Sequence, residues 1–158
     1  KKNKILSANP GLHDEKLDAN RMITSEILRK KVKYECIVSS INNGSHLLGL
    51  SKNLNNPVFY GVYTKSKLAK SINAFSLTEI KKRKNYGMIN LINANEKEII
   101  KGFGLLAKEG IFLDGSSSAI IGSLNKIKYK NICCVLSGSA LNNLSEVQKI
   151  MLKIKKLT

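Results

Sequence analysis

Apolar residues recur along this chain in two patterns, and each pattern predicts one kind of element. Spacings of three or four positions, with the leucine-rich stretch after residue 46, predict helices over 13–33, 46–54, 95–108, 118–125 and 145–155, and another near 65–72. Short runs almost free of charge and rich in β-branched residues predict strands buried on both faces, over 35–41, 57–63, 111–113 and 132–136. Residues 87–92 fit either a strand or an extended loop.

Polar residues and glycines mark the ends of these elements. Asn95 is a suitable N-cap, Glu96 and Glu98 favour the positive end of the helix that follows, and Gly110 suits its termination. Strands and helices alternate from end to end, and no repeat or low-complexity linker separates them. We therefore predict one α/β domain over residues 1–158, built in three layers with a mostly parallel sheet and helices on both faces.

The charge of the chain changes the range of partners to consider. Its 158 residues include 27 Lys and Arg against 11 Asp and Glu, a net charge of +16, which attracts nucleic acids, acidic membranes and phosphorylated metabolites. The lysines are spread over the whole chain, and the densest cluster, 81–84, has only Tyr86 nearby to stack on a base. Because the sequence has neither an aromatic RNA-binding motif nor a metal finger, general charge remains the one argument for nucleic-acid binding.

Other sequence features bear on the compartment. No apolar run approaches the roughly 18 residues of a membrane span, and the basic residues 1–4 precede only two apolar residues, too few for a secretory signal. The three cysteines, Cys36, Cys133 and Cys134, are odd in number and lack a C-x-x-C spacing, which argues against a disulfide framework and a zinc site. We expect a cytoplasmic protein without a bound metal and without a membrane partner.

Three turns that follow predicted strands carry glycine and small polar residues, at 42–46, 114–118 and 137–140. In parallel sheets such turns gather at one edge, where helices begin and ligands bind. Gly44 permits close approach of the backbone to a phosphate at the start of a helix. Turns and helix caps also favour these residue types, so Asp114 with the serines after it fits a plain helix cap equally well.

The residues at these turns resemble one enzyme family. Residues 37–49, IVSSINNGSHLLG, are similar to the valine-rich strand and the Gly-Asn-Gly-Gly-Thr phosphate cup of pyridoxal-phosphate enzymes of fold type II, especially threonine synthase. Residues 109–119, EGIFLDGSSSA, and 135–141, VLSGSAL, resemble two later motifs of the same family, the second of them VLTGHGL. The order and approximate spacing agree along nearly the whole chain, and the resemblance covers the carboxyl-terminal half of the family.

The resemblance implies a fold, a cofactor and a reaction. It implies the carboxyl-terminal part of the large domain of these enzymes, pyridoxal phosphate as cofactor, and conversion of O-phosphohomoserine, a phosphorylated amino acid, to L-threonine. It implies a phosphate held by the 42–46 turn and a serine hydroxyl facing the pyridine nitrogen, from Ser137 or from the Ser116–Ser117 region. The implied cofactor-binding residues are Asn42, Asn43, Gly44, Ser45, His46, Ser116, Ser117 and Ser137.

This sequence also departs from the family. Asn42 and Ser45 replace glycines of the cup, and His46 stands where threonine is usual. The Schiff-base lysine of the family lies in its amino-terminal half, and Lys67 follows the cup rather than preceding it, so we expect no catalytic residue in this chain. Two hypotheses follow: a part of a longer lyase, whose partner is the missing amino-terminal half or a second copy of the chain, or a degenerate, non-catalytic module that binds an anionic partner.

Overall fold

Four short strands, none of which contains a charged residue, form one parallel sheet in the part of the chain that the structure describes. The structure is a computed structural model and describes residues 14–30, 32–42, 44–51, 57–73 and 89–156. The strands are β1 (Cys36–Ser40), β2 (Val58–Tyr63), β3 (Ile89–Asn93) and β4 (Ile132–Val135). They lie in the order β3-β2-β1-β4, and every pairing is parallel.

Helices cover both faces of the sheet. In the described ranges they are α1 (Asp14–Arg29), α2 (Ser45–Ser51), α3 (Glu96–Lys108), α4 (Gly115–Gly122) and α5 (Leu144–Lys155). Short 3-10 turns occupy Lys70–Ile72, Leu124–Lys126 and Ala140–Asn143. None of these helices is both long and apolar enough to cross a bilayer.

The core has two parts, one on each face of the sheet. Successive side chains of a strand point to opposite faces, so Cys36 and Val38 join one apolar cluster while Ile37 joins the other. The first cluster includes α3, α4 and α5 through Phe103, Ile120, Ile150 and their neighbours. The second includes α2, with partly buried residues of α1 against it. The predicted α/β fold, with a parallel sheet and helices on both faces, is confirmed.

The predicted strand at 111–113 is wrong. Gly110 adopts a left-handed conformation with φ 73°, and its N–H donates to the Ala107 carbonyl. The N–H of Ile111 donates to the Leu106 carbonyl at 2.9 Å, so the two bonds close a Schellman motif at the end of α3. The backbone that would pair with a strand is therefore used by the helix terminus, and Ile111 and Phe112 remain exposed.

The predicted helix at 65–72 is also wrong, because side chains replace helical backbone bonds there. The Thr64 hydroxyl accepts the N–H of Ser66, and the Ser66 hydroxyl accepts the N–H of Leu68, which leaves only the 3-10 turn Lys70–Ile72. Of the two alternatives at 87–92, the strand is observed from residue 89, as β3, and residues 87 and 88 lie outside the described residues. The predicted Asn95 cap is confirmed as a capping box with Glu98.

An apolar groove of about 700 Å³ lies on the outer side of α3 and α5. Its side chains Phe112, Met151 and Leu152 are each more than half exposed. The residues that line it are Phe103, Ala107, Phe112, Gln148, Met151, Leu152, Ile154 and Lys155. With few polar groups among them, this groove offers little to orient a charged small molecule.

Helices α3 and α4 approach so closely that glycine is required at the crossing. A Cβ atom on Gly102 would lie 2.0 Å from the Ser118 carbonyl oxygen, and one on Gly122 would lie 1.8 Å from the Glu98 carbonyl oxygen. Gly104, two residues further along α3, has open space where its Cβ would be. The close crossing fixes where α4 begins, and α4 begins at the edge of the sheet that carries the candidate site.

We expect Gly102→Ala to lower the free energy of unfolding by about 1–3 kcal/mol, because the methyl group must separate two packed backbones. Gly104→Ala in the same helix is the matched control and should raise that free energy by about 0.5–1 kcal/mol. Urea denaturation followed by circular dichroism measures both. Equal effects of the two substitutions would contradict the close crossing.

Candidate functional site

The strand order reverses at β1, and this reversal creates a crevice. From β1 the chain passes to β2 and then β3 on one side, whereas β4 pairs with the other side of β1, with Ser39 opposite Val135 at the end of the ladder. The segments that follow β1 and β4 therefore leave the same edge of the sheet and diverge. In open α/β sheets this is the position at which ligands bind.

A cleft of about 500 Å³ occupies this position. Most of its lining residues carry neutral hydroxyl or amide groups, and in the described part of the lining His46 and Asp114 are the titratable ones. The lining residues are Asn20, Ile23, Ser40, Asn42, Gly44, His46, Leu47, Ser71, Ile72, Asp114, Ser116, Ser137, Gly138, Ser139, Asn142 and Asn143. The volume suits a small organic ligand.

The turn after β1 forms one wall. Gly44 has φ 86°, a conformation that other residues adopt only with strain, and its carbonyl accepts the N–H of Leu48 as α2 begins. The amino-terminal end of α2 therefore adjoins the cleft, and its partial positive charge favours an anion there. Asn42 and His46 line the same wall.

His46 provides a neutral imidazole at this wall. Its Nδ1 lies 3.1 Å from the hydroxyl oxygen of Ser39, and the tautomer decides which of the two donates. Burial lowers the pKa of His46 below 6.5, because desolvation disfavours the imidazolium. At neutral pH His46 is thus a hydrogen-bonding group rather than a fixed cation.

The start of α4 forms the facing wall. Ser116 lines the cleft, is 4% exposed, and forms a short hydroxyl–hydroxyl hydrogen bond with Ser71. Gly115 lies directly against the Leu68 backbone, since a Cβ there would be 1.7 Å from the Leu68 carbonyl oxygen. The close contact explains why the segment carrying Ser71 reaches the cleft.

The turn after β4 closes the cleft with small residues. Ser137 is exposed and lines it, together with Gly138 and Ser139. The Ser139 hydroxyl accepts the N–H of Leu141 and caps the turn Ala140–Asn143. Because every side chain here is short, the cleft stays open to solvent above Ser137.

The structure brings together five of the eight residues implied by the resemblance. Asn42, Gly44, His46, Ser116 and Ser137 line one cleft. The other three, Asn43, Ser45 and Ser117, are not among the lining residues: Ser45 and Ser117 adjoin residues that are, and Asn43 lies outside the described residues. Ser117 instead accepts the N–H of Gly138 through its hydroxyl at 3.2 Å.

Sequence reasoning missed several lining residues. Asn142 and Asn143 lie one residue beyond the third turn, and this polar pair was a usable signal. Asn20 and Ser71 reach the cleft only because α1 and the 70–72 turn pack beside it, which no local pattern reveals. No lysine is present in the described lining of the cleft.

Comparison with known proteins bears on the fold. No protein-family model and no curated protein sequence matches this chain. The structure is similar to that of the processed form of threonine deaminase isoform 2 from Solanum lycopersicum, with a TM-score of 0.71 and 16% identity over 90% of this chain and 48% of that chain. The chain has the fold of about half of that enzyme, the α/β fold of the fold type II group.

Two further solved structures agree. O-ureido-L-serine synthase gives a TM-score of 0.66 and 16% identity over 84% of this chain and 49% of that chain. A hydrogen sulfide-producing enzyme gives a TM-score of 0.63 and 21% identity over 82% of this chain and 46% of that chain. The chain spans about half the length of the structures it matches, and the likeness does not single out threonine synthase within the fold type II group.

The lowered pKa of His46 predicts a pH dependence of stability. Below about pH 6.5 the unfolded chain protonates this histidine while the folded chain resists protonation, so the free energy of unfolding should fall as the pH drops through this range. Above that range His46 should contribute no slope. His46→Asn should remove this part of the slope, measured by urea denaturation at several pH values.

Ser39→Ala is the matched control, because it removes the hydroxyl but leaves the buried imidazole. It should retain the slope, since desolvation rather than the hydrogen bond lowers the pKa. An identical pH profile for wild type and His46→Asn would show that His46 titrates in the folded chain as it does when unfolded.

Proposed function

We propose that this chain is the cofactor-binding part of a pyridoxal-phosphate enzyme of fold type II, and that the cleft at the β1–β4 edge holds the cofactor. The observation that carries the proposal is the meeting of Asn42, Gly44, His46, Ser116 and Ser137 in one crevice at the reversal of strand order. The fold likeness to enzymes of this group supports it.

The donor set fits the phosphate end of such a ligand. Gly44 lets the backbone turn tightly into α2, and the helix end favours negative charge. Neutral His46 is able to donate one hydrogen bond, and the net charge of +16 attracts an anion from solution. Asp114, the acid of the described lining, already accepts hydrogen bonds from the Ser117 N–H and the Asn143 amide, which offsets its charge.

The hydroxyl groups fit the ring end. We assign the pyridine nitrogen to the Ser137 hydroxyl, with Ser116 as the alternative. A hydroxyl group shares a hydrogen bond with a ring nitrogen but does not hold a proton on it as a carboxylate would. The cofactor, when bound, supplies an electron sink for carbanion chemistry at an amino acid. With a neutral ring nitrogen we expect elimination and replacement reactions rather than transamination.

The finer proposal is a threonine-synthase-like reaction, in which O-phosphohomoserine loses phosphate and gains water to give L-threonine. Its support is the motif resemblance at residues 37–49, 109–119 and 135–141, together with a basic chain suited to a phosphorylated substrate. Because no lysine is among the described residues that line the cleft, we assign the reactive amine to a segment outside that lining.

A second candidate is a non-catalytic module that keeps the fold and binds an anionic partner. The absence of lysine from the described lining favours it, as does Asn42, whose side chain stands where the family has a glycine. Because the reactive amine is assigned to a segment outside the cleft lining, the candidates are separated by release of phosphate from O-phosphohomoserine, measured with pyridoxal phosphate and the full-length protein in which this chain occurs. Sustained release supports the enzyme, and binding without release supports the module.

We expect the chain to bind 4′-deoxypyridoxine 5′-phosphate, a cofactor analogue without the aldehyde that would react with surface lysines. Ser137→Ala should weaken binding about fivefold, the effect of losing one hydrogen bond. Ser25→Ala, which removes an exposed hydroxyl on α1, is the matched control and should leave affinity unchanged. Isothermal titration calorimetry measures the affinity of the wild-type chain and of both variants for this analogue.

The same titration with 4′-deoxypyridoxine, which lacks the phosphate, tests the role of the turn at Gly44. Its binding should be at least tenfold weaker, because the end of α2 then has no anion to stabilise. Equal affinity for the two analogues, or no binding of either by the wild-type chain, would refute the proposed function.

A further inference from the structure

Asp114 connects three segments that surround the cleft. Its side chain is only 3% exposed, and it caps α4 by accepting the N–H of Ser117 on Oδ1 at 2.9 Å. Its other oxygen, Oδ2, lies 3.4 Å from Nδ2 of Asn143, a lining residue from the 3-10 turn before α5. A single carboxylate thus links the start of α4 to the 3-10 turn that precedes α5.

The third segment is the turn after β4. A Cβ on Gly138 would lie 2.0 Å from Oδ1 of Asp114, so the carboxylate fills the space that a side chain at position 138 would need. The Gly138 N–H also donates to the Ser117 hydroxyl at 3.2 Å. Glycine at this position is therefore a consequence of where Asp114 lies.

Capping alone does not account for this arrangement. Serine caps a helix about as well as aspartate, yet its shorter side chain has one oxygen and cannot reach both partners. Aspartate has the length to contact Gly138 and Asn143 while it caps α4. The contacts with Gly138 and Asn143 are thus a property of this aspartate that is separate from helix capping.

The contacts of Asp114 join the two segments that carry Ser116 and Ser137 of the candidate site. Ser116 lies two residues beyond it at the start of α4, and Ser137 immediately precedes Gly138. We propose that Asp114 is a positioning residue, which holds these two turns so that Ser116 and Ser137 face one ligand; this inference rests on the proposed function of the cleft. A ligand that contacts both turns is bound weakly when their spacing is no longer fixed.

Asp114→Ser tests this role, because serine keeps the cap and loses the reach. At a temperature where all variants are fully folded, affinity for 4′-deoxypyridoxine 5′-phosphate should fall about tenfold. Asp114→Asn, which has the same shape and can exchange a hydrogen bond with the Asn143 amide, should restore affinity to within about twofold of wild type. A purely structural cap would change stability and leave affinity unchanged in both variants.

A second measurement tests the contact without any ligand. Gly138→Ala should lower the melting temperature in the wild-type background, where the methyl group meets the carboxylate, and should lower it less in the Asp114→Ser background, where the space is free. Equal effects in the two backgrounds would overturn the inference. Gly104→Ala, which adds a methyl group in open space, is the control for the substitution itself.

The outcomes separate the inference from the proposed function. If the wild-type chain binds the analogue and Asp114→Ser binds it equally well, the positioning role is wrong and the proposed function stands. If the wild-type chain does not bind, the proposed function is wrong, and the positioning of a ligand by Asp114 is overturned with it.

Discussion

The pairing of β4 with β1 is the constraint on which the rest of this structure depends. The hydrogen bond between the Asn131 N–H and the Glu35 side chain already spans 96 residues, and the ladder from Cys36–Ile132 to Ser39–Val135 continues it. Because both strands are uncharged and run in the same direction, their following turns emerge at one edge. It is this pairing that brings Ser137 close to the turn that contains Gly44.

The chemistry of the cleft follows from how its walls are made. Two of its lining residues, Asp114 and Ser139, also cap helices through their side chains, so helix capping fixes part of the cleft wall. Burial keeps His46 neutral, and the charge of Asp114 is offset by two donors. The described lining thus favours an anion through backbone dipoles and neutral donors, and it includes no lysine or arginine side chain.

Much of the fold could be predicted from the sequence, because the buried strands are uncharged and the Asn95 cap is a strong local signal. The failures have a common physical origin. At 111–113 an apolar run looked like a strand, but the Schellman motif at Gly110 uses the Ile111 N–H. At 65–72 the hydroxyl groups of Thr64 and Ser66 compete with helical hydrogen bonds.

The candidate site was predictable to the extent that it follows strands. The residues of the three turns could be identified from glycine and serine after uncharged runs, whereas Asn20 and Ser71 could not, because tertiary packing brings them to the cleft. The same limit applies within a turn. Sequence placed Ser116 and Ser117 together, but the backbone of α4 directs one to the cleft and the other to the Gly138 N–H.

The apolar groove beside α3 and α5 has a consequence for how the protein behaves at high concentration. Two copies that each carry +16 repel one another over a Debye length of about 30 Å in 0.01 M salt, but over only about 3 Å in 1 M salt. Exposed Phe112, Met151 and Leu152 favour contact with other apolar surfaces at any ionic strength. The salt concentration of the buffer therefore governs the colloidal stability of this chain. In dilute salt, charge repulsion keeps the copies apart. In concentrated salt, that repulsion is screened and the exposed apolar surfaces can associate.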